Sequence, residues 1–130
     1  MNIRTLILTV GLPRSGKTTW ARQQGVPIVN PDSIRYALHG ERFIALAEPF
    51  VWAIAKVMVL ALFLAGHDTI ILDATNTTEK RRAEWVSEKW ETKCHVIPTT
   101  KEECIRRADA EGDDYIKPII EKMAAQYEPL

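Results

Sequence analysis

Residues 11–18 read Gly-Leu-Pro-Arg-Ser-Gly-Lys-Thr, and no other stretch restricts the fold as tightly. The string fits G-x-x-x-x-G-K-[ST] at every fixed position. It lies between an apolar run at residues 3–10 (IRTLILTV) and residues 17–24, which open a helix. Gly11 and Gly16 permit backbone dihedrals that turn successive N–H groups into one concavity. The helix starting at Lys17 aims its positive end at the same place. Phosphate oxygens suit such a loop: Lys17 would reach the β- and γ-phosphates of a nucleoside triphosphate, and the Thr18 hydroxyl would ligate magnesium. Gly11, Leu12, Pro13, Arg14, Ser15, Gly16, Lys17, Thr18 and Thr19 form the candidate nucleotide-binding set.

The remaining elements follow a repeating order. The run at 3–10 lacks clean alternation, which suits a strand buried on both faces of a parallel sheet. Further strands are predicted at 26–30, 68–73 and 93–97. Helices are predicted at 32–38, 44–65, 78–91, 100–110 and 116–127. Asp32 and Ser33 are candidate caps for the first of these; Asn76 or Thr77, and Thr99 or Thr100, are candidates further on. Strands alternating with helices imply right-handed crossovers and a three-layer α/β/α P-loop NTPase fold, with about four parallel strands and helices on both faces. The 130 residues read as one domain, with a small helical lid at about 99–115. Ligands of such sheets bind at the carboxyl ends of the strands.

Composition excludes some classes. Lys plus Arg equal Asp plus Glu at 17 each, so no global basic field drives nonspecific nucleic-acid binding; a local basic cleft stays open. Cys94 and Cys104 lack metal-ligand spacing and read as reduced thiols. The amino-terminal apolar run is too short for a signal peptide. Residues 50–66 are strongly apolar, but Lys56 interrupts them, and a span needs about 20 apolar residues. The expectation is a helix buried on most of its surface, no membrane, and a cytoplasmic protein.

Asp73 ends the apolar strand TIIL, as an acid near a nucleotide-bound metal would; capping a helix is the plainer alternative. Asp32 falls just past the second strand, on the same sheet edge as the phosphate loop. Arg35 lies one helical turn on. Together they could orient a hydroxyl and grip an acceptor phosphate, or simply cap and pair. A GTP-binding switch is not indicated, because no base-reading N-K-x-D occurs; Asp109 to Gly112 fits D-x-x-G only at a helix end.

The strings ILTVGLPRSGKTTWARQ, VNPDSIRYALHG and IILDATNTTEKRRAEW resemble the kinase domain of phage polynucleotide 5′-kinases and their P-loop kinase relatives, including zeta-toxin-like ones. The closing PIIEKMAAQYEPL is similar too, so the likeness spans nearly the whole chain. It implies transfer of the γ-phosphate of ATP, with Mg2+, to a 5′-hydroxyl end of DNA or RNA in nucleic-acid repair. It implies that Asp32 is the general base, that Arg35 holds the acceptor phosphate, and that Asp73 and Asn76 line the site. Arg106 and Arg107 match the lid arginines, Arg107 being the better match to a γ-phosphate contact. Three positions depart from the family pattern: Arg14 replaces a usual glycine, the strand-end motif is D-A-T-N rather than D-T-N, and Glu111 falls where a second lid arginine is expected. The phosphatase domain often fused to these kinases is not represented, so 3′-end processing is not expected.

Two other readings remain open: a small-molecule P-loop kinase, and a nucleotide-binding module with weak hydrolysis. Trp20, Trp52, Trp85 and Trp90 read as packing residues rather than base-stacking ones. Lys80, Arg81 and Arg82 read as a solvated helix face, and His39 and His67 as incidental.

Overall fold

The computed structural model describes residues 3–130. Its sheet has four parallel strands in the order β2-β3-β1-β4. They are β1 (Thr5–Val10), β2 (Ile28–Val29), β3 (Thr69–Leu72) and β4 (Glu91–Val96). β1 is therefore interior, paired with β3 from Thr5↔Thr69 and with β4 from Thr5↔Glu91. The helices are α1 (Lys17–Gln23), α2 (Pro31–His39), α3 (Glu48–Leu64), α4 (Glu79–Ala83), α5 (Lys101–Ala110) and α6 (Lys117–Gln126).

Side chains alternate along a strand, so β1 presents Leu6 and Leu8 to one face and Ile7 and Thr9 to the other. Leu6, Leu8, Ile70 and Leu72 join Val51, Ala55, Val59 and Phe63 of α3, with Trp85 and Trp90, in the larger core. On the opposite face Thr9 is in register with His95, whose ring stacks on Trp20 of α1 at 3.8 Å between centroids. Helices thus cover both faces. A second cluster of Leu12, Cys104, Ala108 and Ile120 seats α5 and α6 against the start of the phosphate loop.

Several boundaries differ from those predicted. The helix expected over 78–91 is only Glu79–Ala83, capped by Thr78 rather than Asn76 or Thr77. Trp85 then turns into the core, and its carbonyl accepts from Trp90 Nε1 and Thr92 Oγ1, each at 2.9 Å. That turn starts β4 two residues early, at Glu91. The helix expected over 44–65 is split into a 3₁₀ turn, Ala45–Ala47, and α3. Pro49 sets the break, because a residue without an N–H fits only the first turn of a helix.

Two burial expectations are overturned. Of the stretch Ala45–Leu64, only Val51, Ala55, Val59 and Phe63 are buried, so this helix is not covered on most of its surface. By length and composition alone it is also apolar and long enough to cross a membrane. Arg82 is buried rather than solvated, and donates to the carbonyls of Asn76 at 2.9 Å and Glu128 at 2.7 Å. It ties the carboxyl-terminal tail to the loop after β3.

Candidate active site

The phosphate loop leaves β1 at the carboxyl edge of the sheet. Gly11 is fixed by crowding: a Cβ there would meet Ser15 Oγ at 2.8 Å and the Ile97 carbonyl at 3.1 Å. Gly16 closes the loop with φ of 101°. Thr99 Oγ1 donates to the Ser15 carbonyl at 2.7 Å and ties the loop to the segment after β4. Thr100, the cap of α5, frees Thr99 for that bond.

Lys17 is 8% exposed and folds back across the loop, donating to the Leu12 carbonyl at 2.7 Å and to Ser15 Oγ at 3.4 Å. Burial lowers its pKa to about 8, with Asp73, and more weakly Asp32, opposing that fall. A phosphate at the loop would favour the charged ammonium. Thr18 Oγ1 donates to Asp73 Oδ2 at 2.7 Å, so the two residues expected near a metal are in direct contact. A hydroxyl and a buried carboxylate oxygen are the hard donors that magnesium takes alongside nucleotide phosphates and water. This pair fits the ion that ATP brings. Thr19, beside it, is exposed on α1.

Asn30 went unremarked in the sequence, and it organises the start of α2 beside the loop. Its Oδ1 accepts from the N–H groups of Asp32 and Ser33 at 2.8 and 3.3 Å, so Asn30 caps α2 and neither Asp32 nor Ser33 does. Its Nδ2 donates to Asp73 Oδ2 at 3.0 Å. One amide therefore joins the start of α2 to the acid that meets Thr18. The signal was present as Asn-Pro-Asp, a capping residue followed by a proline suited to the first helical position.

With capping done by Asn30, the Asp32 carboxylate is free of the backbone and its side chain is 74% exposed. Among the described residues it accepts a hydrogen bond from Arg35 Nη1 alone, at 2.7 Å. Arg35 is also held in a two-pronged pair by Glu48, through Nε at 2.9 Å and Nη2 at 2.7 Å. Guanidinium carries five donors, so two remain outside these pairs. Glu48, at the first turn of α3, is a second residue that sequence reasoning missed; its thirteen-residue separation from Arg35 gave no local pattern.

The lid residues divide. Arg107 Nη1 donates to the Arg14 carbonyl at 3.1 Å and lies against Gly16, so it reaches the loop. Arg106 is exposed and paired with Glu103, away from the loop. Asn76 is buried, and its Nδ2 donates to the Thr9 carbonyl at 2.9 Å; its Oδ1 has no hydrogen-bond partner among the described residues. It props the end of β1 beneath the site.

Two departures from the family pattern meet each other. Arg14 adopts φ of 68°, a left-handed conformation costing a non-glycine residue about 1 kcal/mol. Its guanidinium pairs with Glu111 and, at 2.7 Å, with Asp113. Asp113 also takes Arg42 at 2.7 Å. Arg42 and Arg14 together hold the Asp113 carboxyl well below the usual carboxylate range. This ionic clasp links the phosphate loop, the α2–α3 connection and the α5–α6 turn.

Comparison with known proteins agrees with this geometry. The AAA domain family matches residues 6–130. No curated protein matches the chain. Among solved structures, a chain of the Pnkp1/Rnl/Hen1 complex is 26% identical at a TM-score of 0.73, over 82% of this chain. The match spans only 40% of that longer chain. A gluconokinase from Sinorhizobium meliloti 1021, 15% identical with a TM-score of 0.63 over 99% of this chain and 78% of its own, shares the fold. So does a putative kinase from Chloroflexus aurantiacus, 16% identical with a TM-score of 0.61 over 92% of this chain and 76% of its own. With its phosphate loop, strand-end acid and four-stranded parallel sheet, the chain belongs to the AAA domain family as a P-loop domain of the kinase type.

Proposed function

We propose that the chain transfers the γ-phosphate of ATP to the 5′-hydroxyl of a DNA or RNA end. The observation that carries this reading is the Asp32 carboxylate, left uncapped and exposed beside Arg35 and coupled through Asn30 to the Thr18–Asp73 pair. The likeness to a chain of the Pnkp1/Rnl/Hen1 complex supports a polynucleotide acceptor.

In this mechanism Asp32 accepts the proton of the acceptor hydroxyl as its oxygen attacks the γ-phosphorus. The bond from that phosphorus to the β,γ-bridging oxygen breaks, and ADP leaves. Lys17 and Arg107 offset the charge that develops on the transferring phosphoryl and the leaving oxygen. Arg35 grips a phosphate of the acceptor through its free donors. Magnesium, held by Thr18 and Asp73, would supply further charge neutralisation on the nucleotide. Such a reaction serves end repair in the cytoplasm.

Equal numbers of acidic and basic residues, 17 each, favour a small acceptor as the second reading. ATP labelled in its γ-phosphate, offered with 5′-hydroxyl oligonucleotides and with a panel of nucleosides and sugars, separates the two. Label on the oligonucleotide end, lost in Asp32→Ala, is the expected result. Label on a small molecule alone would overturn the polynucleotide reading. Lys17→Ala is expected to abolish transfer and keep the melting temperature; unchanged turnover would show that this loop does not serve phosphoryl transfer.

A further inference from the structure

The outer side of α3, with the 3₁₀ turn that leads into it, carries a second apolar stripe. Leu46 is 91% exposed, Phe50 68%, Val57 63% and Leu64 78%. Ala53 is exposed between them, and Leu60 is half-buried, packed in part against the core. The six positions 46, 50, 53, 57, 60 and 64 follow a 4-3-4-3-4 spacing, the heptad rhythm of one helix packed along another. The inner stripe of Val51, Ala55, Val59 and Phe63 already faces the core, so α3 has one apolar side more than its packing on the sheet and on α2 uses. A largely exposed apolar stripe of this kind marks a contact surface.

We infer that the outer stripe of α3 pairs with the same stripe of a second copy, antiparallel about a two-fold axis. The spacing is what favours a copy of this chain. Reversed about residue 55, it sets Leu46 against Leu64, Phe50 against Leu60, and Ala53 against Val57, with no seam position left over. Such a contact is self-complementary, as two-fold symmetry requires. The pairing apposes large side chains at the ends, and the small Ala53 near the centre lets the helices approach closely.

Charge agrees. Glu48 and Lys56 are the only ionised side chains on α3. Glu48 is engaged by Arg35, and Lys56 donates to the Glu84 carbonyl at 2.6 Å and lies over the Trp85 ring. Both are engaged within their own chain, so the reversed pair brings no like charges together. A seam this long would bury roughly 1,000 Å² in total, the low end for a specific interface, which implies a reversible dimer. A lipid surface would accept the same face but has no reason to follow a heptad.

Sedimentation velocity from about 1 to about 100 μM tests the pairing at affinities expected of so small a contact. The expected result is a species of 14.8 kDa giving way to one of twice that mass as concentration rises. Phe50→Glu and Val57→Glu should each remain monomeric at the top concentration while keeping the wild-type melting temperature and ATP binding. A wild-type chain monomeric throughout, or a dimer that survives both substitutions, would overturn the inference. So would wild-type binding to phosphatidylcholine–phosphatidylglycerol vesicles, abolished by Phe50→Glu, without any dimer. In a Cys94→Ser background, Leu46→Cys with Leu64→Cys should form disulfide-linked dimers, and Leu46→Cys alone should not. Linkage by Leu46→Cys alone would rule out the reversed alignment.

Discussion

Asn30 shows how one small side chain can hold two halves of a site in register. Its oxygen caps α2 and its nitrogen reaches Asp73, so replacing it removes a helix cap and a tether together. Asn30→Ala is expected to lower stability by about 1 kcal/mol, the usual value of a cap. It should reduce turnover by a larger factor than ATP affinity, because the Asp32 end of α2 loosens while the phosphate loop stays built. Melting curves and steady-state kinetics would check both halves; equal losses in turnover and ATP affinity would contradict the tether. Gly11→Ala belongs to the same scale. The added methyl has only 2.8 Å to Ser15 Oγ and 3.1 Å to the Ile97 backbone oxygen, and the backbone cannot give as a side-chain tip can. Nucleotide affinity measured by calorimetry should fall at least about tenfold, corresponding to 1.4 kcal/mol.

Among elements, the clasp around Asp113 makes a prediction with a definite sign. Arg42 and Arg14 depress its carboxyl below an ordinary value of 3.8. A depressed acid contributes stability that is complete above the unfolded-state pKa and is lost as the pH falls through the folded-state value. Asp113→Asn is therefore expected to cost about 1–2 kcal/mol at neutral pH, and the gap from wild type should shrink below about pH 4. Urea unfolding across that range would show it; a gap independent of pH would mean that the charge of Asp113 is not what stabilises the turn. The clasp also marks the limit of what could be read from sequence. Alternation of strands and helices, and the placing of the loop, Asp32 and Asp73 on one edge of the sheet, were legible because each rests on local pattern or spacing, whereas Arg107 entered only through the family resemblance. That Arg14 and Glu111 would meet was not legible, since 97 positions separate them and each looked like an isolated departure. The short α4 was missed for a related reason: helical propensity over 78–91 yields to the need of Trp85 and Trp90 to enter the core, which only the assembled sheet imposes. Arg82 was misread because a basic run signals solvent until the carbonyls it satisfies are known.

For the whole molecule, the strand order governs the time taken to fold as well as the position of the site. Of the neighbouring pairs only β2 and β3 are successive strands, neither neighbour of β1 is the strand that follows it in the chain, and every pair is parallel. β1 is made first, yet its partners begin at Thr69 and Glu91, so it must wait for 64 and then 86 further residues before either edge is satisfied. No hairpin can form early as a nucleus, and each closure of a long crossover loses chain entropy before any pairing repays it. Refolding by dilution from urea is expected to take milliseconds to seconds, with amides of β1 and β3 gaining protection from exchange in the same phase. Protection of β1 well ahead of β3 would contradict this. During that interval the apolar strand that carries the phosphate loop stands with both edges open. On a nascent chain one edge would stay open until Val96 has emerged, which makes the segment that carries the phosphate loop also the one most in need of shelter while the chain is being made.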